Sequence, residues 1–170
     1  MAEEVVLRNL DPIEIQKYQQ NRYPCFFVDC IEEAVPGKYA KGYKKYTSNE
    51  WFFQNSQDMC VPESVQIETL TQVFLMTFLT MPENKGEKTS FVSVEAEHLL
   101  PIKAGDSIKI TANLDSYTHG LAKGSAVAYL DKMLGGGGTM LEGSLYGSNP
   151  VCSEKISSCI KIAKEERRDV

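Results

Sequence analysis

Only two histidines occur in the chain, His98 and His119, so any imidazole acid–base chemistry must use one of them. His119 precedes Gly120 in a turn-forming stretch and reads as a surface residue. His98 sits beside Leu99 and Leu100 in an apolar run, which suits a structural ring with its hydrogen bonds satisfied; service as a base is the other reading. The carboxylate that stands out is Glu68, inside the most apolar stretch of the chain, with Ser64 and Gln72 four residues to either side. On a helix that spacing sets all three on one face, with Thr71 adjoining. Such a face is either a polar seam at a dimer interface or a site whose acid is kept for chemistry, because burying a lone carboxyl is costly. The five cysteines (Cys25, Cys30, Cys60, Cys152 and Cys159) are odd in number and contain no Cys-x-x-Cys. That pattern fits neither a disulfide framework nor a zinc site. Cys25 and Cys30 lie in an apolar segment and read as buried core thiols. Gly135-Gly136-Gly137-Gly138 lacks the Lys-Ser/Thr and helix of a phosphate loop, so it reads as a hairpin turn. No metal and no cofactor is implied.

The elements that must position these groups follow from the pattern. Asp11-Pro12 opens a short amphipathic helix, with Asp11 as cap and Pro12 at the first position, running to about Gln20-Asn21 before Pro24. Phe26 to Ile31 and Tyr39 to Tyr46 read as strands around the turn Pro36-Gly37, and Gln54 to Met59 as a loop after Trp51-Phe52-Phe53. Pro62 and Glu63 suit the first turn of a helix that continues from Ser64 to Met81 without proline or glycine. Apolar around most of its circumference, this helix must be buried. Strand-like stretches follow: Phe91 to Leu100, Ser107 to Leu114 with clean alternation, Ala122 to Leu130, and Thr139 to Tyr146. From Ser153 the spacing of Ile156, Ile160 and Ala163 predicts a short helical tail. One apolar helix and several antiparallel strands make an α+β domain in which a sheet curls around the helix. The expected organisation is one domain over residues 1–150 and a tail over 151–170.

Composition excludes several classes. The chain has 170 residues, 42% of them apolar and 24% charged, as a globular domain requires. Its formal charge is −5, and its basic runs, Lys41 to Lys45 and Lys161 to Arg168, are interleaved with acidic or apolar residues, so no nucleic-acid footprint is visible. No apolar run is long enough to span a bilayer, and the acidic Met1-Ala2-Glu3-Glu4 start does not resemble a secretory signal. A cytoplasmic protein without membrane partners is expected.

Several segments, in order, resemble the beta-hydroxyacyl-acyl-carrier-protein dehydratases. Asn21-Arg22-Tyr23-Pro24-Cys25-Phe26-Phe27-Val28-Asp29 is similar to their RYP-(apolar)-VD opening, and Trp51-Phe52-Phe53 to their WFF element. Cys60-Val61-Pro62-Glu63 stands where they have VMPG, and Ile67-Glu68-Thr69-Leu70-Thr71-Gln72 resembles their (L/I)EALAQ. Pro101 to Asp106 and Ala126 to Asp131 are similar to their later strands, so the resemblance covers about residues 10–147. It implies a hotdog fold, a homodimer, and acyl-carrier-protein or acyl-CoA thioesters as partners.

It also implies site residues. Glu68 falls on the family's helical carboxylate. The family's loop histidine falls on Ser56 or Asn55, in a loop two residues shorter, and the glycine at the helix start is replaced by Glu63. Serine and asparagine lack the pKa and free lone pair of a general base. Glu63 keeps a backbone amide for an oxyanion, but its charge opposes the one developing there. Ser56 and Asn55 are candidates to orient water or a thioester carbonyl, or are plain loop residues. Tyr23 is a candidate gate of an acyl tunnel or a core aromatic; Ser64 and Gln72 flank the acid as binding candidates. The favoured expectation is an acyl-thioester-binding homodimer in which standard dehydration is lost or altered. The alternatives are a dehydratase or isomerase working through Glu68 or His98, and a thioesterase using Glu68.

Overall fold

The computed structural model describes residues 4–131 and 150–160. Its centre is a 17-residue helix, α2 (Glu63–Leu79), in which every side chain from Thr69 to Leu79 is buried. A helix apolar around most of its circumference needs cover on most sides. The cover is one antiparallel sheet of seven strands among the described residues. They are β1 (Leu7–Leu10), β2 (Cys30–Val35), β3 (Tyr39–Lys45), β4 (Thr89–His98), β5 (Ser107–Thr118), β6 (Leu121–Leu130) and β7 (Pro150–Ile160), in spatial order β1-β2-β3-β5-β6-β7-β4. The α+β hotdog arrangement, with an antiparallel sheet wrapped around one long buried helix, is therefore present.

The helix lies close on the sheet because two strands carry glycine beneath it. A Cβ on Gly42 of β3 would stand 2.7 Å from Val73 Cγ2. One on Gly124 of β6 would stand 2.0 Å from the Asn113 carbonyl oxygen and 2.6 Å from the Phe74 ring. Glycine is what permits this approach.

Local chemistry sets the smaller elements. The first helix, α1, is only Pro12–Ile15, shorter than its amphipathic pattern predicts, with backbone turns continuing to Gln19. Its start is a capping box: the Glu14 amide donates to Asp11 Oδ1 (2.8 Å) and the Asp11 amide to Glu14 Oε2 (3.2 Å). Trp51–Phe53 form a single 3-10 turn, whose Phe52 packs edge-on against Phe27 and Tyr46. This aromatic cluster seats the loop that follows.

Three expectations need correction. The chain from Pro150 to Ile160 is not a helical tail but an interior strand, paired with β6 on one side and β4 on the other. Its inward residues Cys152, Glu154, Ile156 and Ser158 alternate, and Ile156 and Ile160 lie four apart, a separation that suits both a helix face and a strand face. The sheet therefore continues past residue 150. The strand expected over Phe26 to Ile31 begins only at Cys30 and extends to Val35, because Phe27 and Val28 are buried in irregular backbone whose bonds go to α2. Cys25 is exposed rather than a core thiol, and β1 was not visible in the pattern. The four-glycine turn, the strand over Thr139 to Tyr146, and residues 161–170 lie outside the described residues. No helix is long and apolar enough to cross a membrane among the described residues.

Candidate functional site

Glu68 and Gln72 are brought together. Gln72 Nε2 donates to Glu68 Oε1 at 2.8 Å and to the Cys25 carbonyl at 2.6 Å, while its Oε1 accepts from the Phe27 amide at 2.8 Å. Fully buried, Gln72 is thus consumed in tying α2 to the 25–27 segment and in orienting the acid. Glu68 is half-buried, and desolvation raises its pKa against the lowering pull of the Gln72 donor. Ser64, one turn earlier, is exposed.

A second acid, which sequence reasoning missed, faces the same helix. Glu154 on β7 is 3% exposed; Thr71 Oγ1 donates to its Oε2 at 3.4 Å, and its Oε1 has no partner among the described residues. Its neighbours across the sheet are Ala96 and Ala126, too small to offer a polar group. Burial pushes its pKa up to about 8 against the lowering pull of the Thr71 hydroxyl, with the negative charge of Glu68 a smaller push in the same direction as burial. That shift favours the protonated carboxylic acid at neutral pH. Reading 150–160 with a period of two would have placed it inward beside Ile156.

The third group surrounds the start of α2. Pro62 occupies the cap position and no side chain caps the helix, so the amides of Glu63 and Ser64 are ones the helix leaves unused. An open cleft of about 310 Å³ lies here, walled by Glu63, Gln66, His98 and the Leu99-Leu100-Pro101 turn. Its floor is fixed by the Val61 amide donating to the Ile102 carbonyl (2.7 Å) and the Ala104 amide to the Met59 carbonyl (2.9 Å). His98 is half-buried, with Nδ1 3.0 Å from Gln66 Oε1 and 3.6 Å from Cys152 Sγ. Burial, then the charges of Glu154 and Glu63, push the Cys152 thiol up to about 12, so it stays protonated.

The remaining candidates lie apart from these groups. Ser56 Oγ donates to Asp58 Oδ1 (3.0 Å) and accepts from the Met59 amide (3.2 Å), so its hydroxyl is engaged in its own loop. Asn55 is exposed at φ 65°. Among the described residues, neither is hydrogen-bonded to Glu68. Tyr23 is 87% exposed and so is not a core aromatic. His119 is exposed in its turn. Among the described residues no group of three or more His, Cys, Asp or Glu side chains is placed to hold a metal.

With this geometry in view, comparison with known proteins is informative. No protein-family model matches the chain. The 3-hydroxyacyl-acyl-carrier-protein dehydratase FabZ of Clostridium novyi is 36% identical over 121 residues, covering 69% of this chain and 85% of the relative. That of Clostridium botulinum is 35% identical over 125 residues, covering 72% and 87%. Among solved structures, the dehydratase heterocomplex ApeI:P of Xenorhabdus doucetiae superposes with a TM-score of 0.64 at 13% identity, covering 89% of this chain and 93% of that one.

Proposed function

The chain belongs to the FabZ-type family of 3-hydroxyacyl-acyl-carrier-protein dehydratases, and on that premise we propose that it binds acyl thioesters without using the family's loop-histidine route. The partner is an acyl group carried on acyl-carrier protein or coenzyme A. Its thioester carbonyl lies in the cleft at the start of α2, where unused amides and the positive end of the helix dipole accept a partial negative charge. Glu68, held by Gln72, is the carboxyl of this site.

The observation that supports this reading is the open cleft at the start of α2, with the Ser56 hydroxyl engaged in its own loop. Of the two residues assigned to the family's base position, Ser56 is tied into a turn with Asp58 and Asn55 is exposed, while the cleft at the start of α2 is open. Calorimetric titration with unreactive thioether analogues of acyl pantetheine tests it. Saturable binding of one analogue per chain is expected; no heat from short to long acyl chains would remove the proposal.

We further infer a homodimer formed through β4. This strand has ten residues, pairs only with β7 among the described residues, and exposes Phe91, Val92, Leu99 and Leu100 on itself and the turn after it. The opposite edge, β1, has four residues and carries Arg8, a short charged edge of the kind that discourages pairing. Thioester hydrolysis by Glu68 is the second reading, favoured by its perturbed carboxyl and the same amides. Thiol release from acyl-CoA, followed with a chromogenic reagent, distinguishes it from binding alone.

A further inference from the structure

We propose that His98 is the general base of this site, moved from the loop before α2 to the end of strand β4, and that Gln66 is the residue that positions it. The inference rests on the reading that the cleft takes an acyl thioester, and it adds the reaction: reversible dehydration of a 3-hydroxyacyl thioester.

The argument begins with an amide whose orientation is fixed. Gln66 is 4% exposed, and one end of its carboxamide lies 2.9 Å from the Val61 carbonyl oxygen. A carbonyl only accepts, so that end must be Nε2, and Oε1 is left facing the imidazole at 3.0 Å from Nδ1. Oε1 also only accepts, so Nδ1 must carry the proton. In the neutral ring the lone pair is then on Nε2, which has no hydrogen-bond partner among the described residues. A half-exposed imidazole with one nitrogen locked as donor and the other left as acceptor is how a base is presented to a substrate. Support behind the ring is rigid. His98 is paired with Cys152 across the sheet, and the next amide, Leu99, donates to the Val151 carbonyl at 2.9 Å. The ionisable groups around the ring are Glu63 on α2, Cys60 before it, and Cys152 on β7. Cys152 is held as a thiol and does not compete for the proton.

The step balances with no further reactant. His98 Nε2 takes the proton from C2, and the C2–H electron pair passes through the enolate, whose oxygen charge the α2 amides accept, to become the C2=C3 bond. The C3–O bond breaks, and the imidazolium returns its proton to the departing hydroxyl. One water and a trans-2-enoyl thioester result, and the neutral imidazole is restored.

The experiment uses the full chain with 3-hydroxyacyl and trans-2-enoyl pantetheine thioesters, following the conjugated enoyl absorbance, alongside thioether-analogue titrations. Interconversion by the wild type is expected. His98→Gln should lower kcat by about 10²–10⁴-fold while analogue affinity stays within a few-fold. Gln66→Leu, which leaves the ring but frees its tautomer, should lower kcat with little change in KM and alter the acidic limb of the pH profile. This second variant decides the matter if His98→Gln does not fold. Wild-type turnover that survives both changes overturns the proposal. So does a wild type that binds the analogue but does not interconvert the thioesters, and that result leaves the binding proposal standing. Absence of analogue binding overturns both.

Discussion

Glu154 makes this fold sensitive to pH in a direction opposite to that of most carboxylates, and Glu154→Gln isolates the effect. The side chain is 3% exposed with one oxygen unpartnered, and its pKa is pushed from 4.5 in the open chain to about 8 in the fold. The folded state therefore keeps a proton that the unfolded chain releases above 4.5. For a group raised in this way, stability is fully present below the unfolded value, falls as pH climbs, and levels off above the folded value. At about 1.4 kcal/mol per unit, the window from 4.5 to about 8 holds roughly 5 kcal/mol, of which about 3 is already lost at pH 7. Glutamine keeps the shape and the acceptor for Thr71 but cannot ionise. Urea unfolding at pH 5, 6, 7 and 8 should show the wild type losing stability steadily and the variant losing much less. The variant should be the more stable protein by about 3 kcal/mol at pH 7, with the gap widening towards about 5 kcal/mol above pH 8. Glu68, raised in the same sense, leaves a smaller residual slope in the variant. Parallel curves for the two proteins would show that Glu154 ionises in the fold as it does in water.

Three other changes probe the framework. Gln72→Ala removes the donor to Glu68, the tie to the Cys25 carbonyl and the partner of the buried Phe27 amide, so urea titration should find it about 3 kcal/mol less stable. Val92→Lys places a charge on the exposed edge of β4; sedimentation should show a dimer in the wild type and a monomer in the variant, and an unchanged mass would locate the interface elsewhere. Gly124→Ala drives a methyl to 2.0 Å from a backbone oxygen, so circular dichroism should show an unfolded or severely destabilised chain. Gly105→Ala, at φ 93° with open space around it, should cost only about 1 kcal/mol.

What the sequence disclosed and what it hid divide along a physical line. The long helix was legible to within two residues, because a run from Glu63 to Leu79 without proline or glycine and apolar around most of its circumference points to a buried helix. Alternation located β5, strand-like composition located β6, and the Pro62-Glu63 pair located the start of α2. The strand β7 was hidden because residues four apart share a face in both periodicities. With it went Glu154, whose significance depends on facing inward. Hidden too was the Gln66–His98 contact, which joins residues 32 positions apart and depends on two side-chain orientations. Ser56 and Glu68 were legible as residue types, but not the fact that Ser56 bonds to Asp58 instead.

The structure also weakens one objection to chemistry at the helix start. A carboxylate in place of glycine beside an oxyanion site opposes the charge that develops there, yet how strongly depends on the medium between them. Glu63 is exposed, so its charge is hydrated. Two like charges 4 Å apart repel by about 1 kcal/mol through water and about 4 kcal/mol at the effective dielectric of a protein surface, and a side chain free to turn outward approaches the lower figure. The backbone amide does not turn with it. Gln66 and His98, by contrast, are held by buried partners and cannot relax away from the cleft. The Glu63 carboxylate thus costs the site a modest repulsion. Glu63→Gln should accordingly change turnover less than tenfold, and a larger gain would mean that the Glu63 carboxylate points into the cleft.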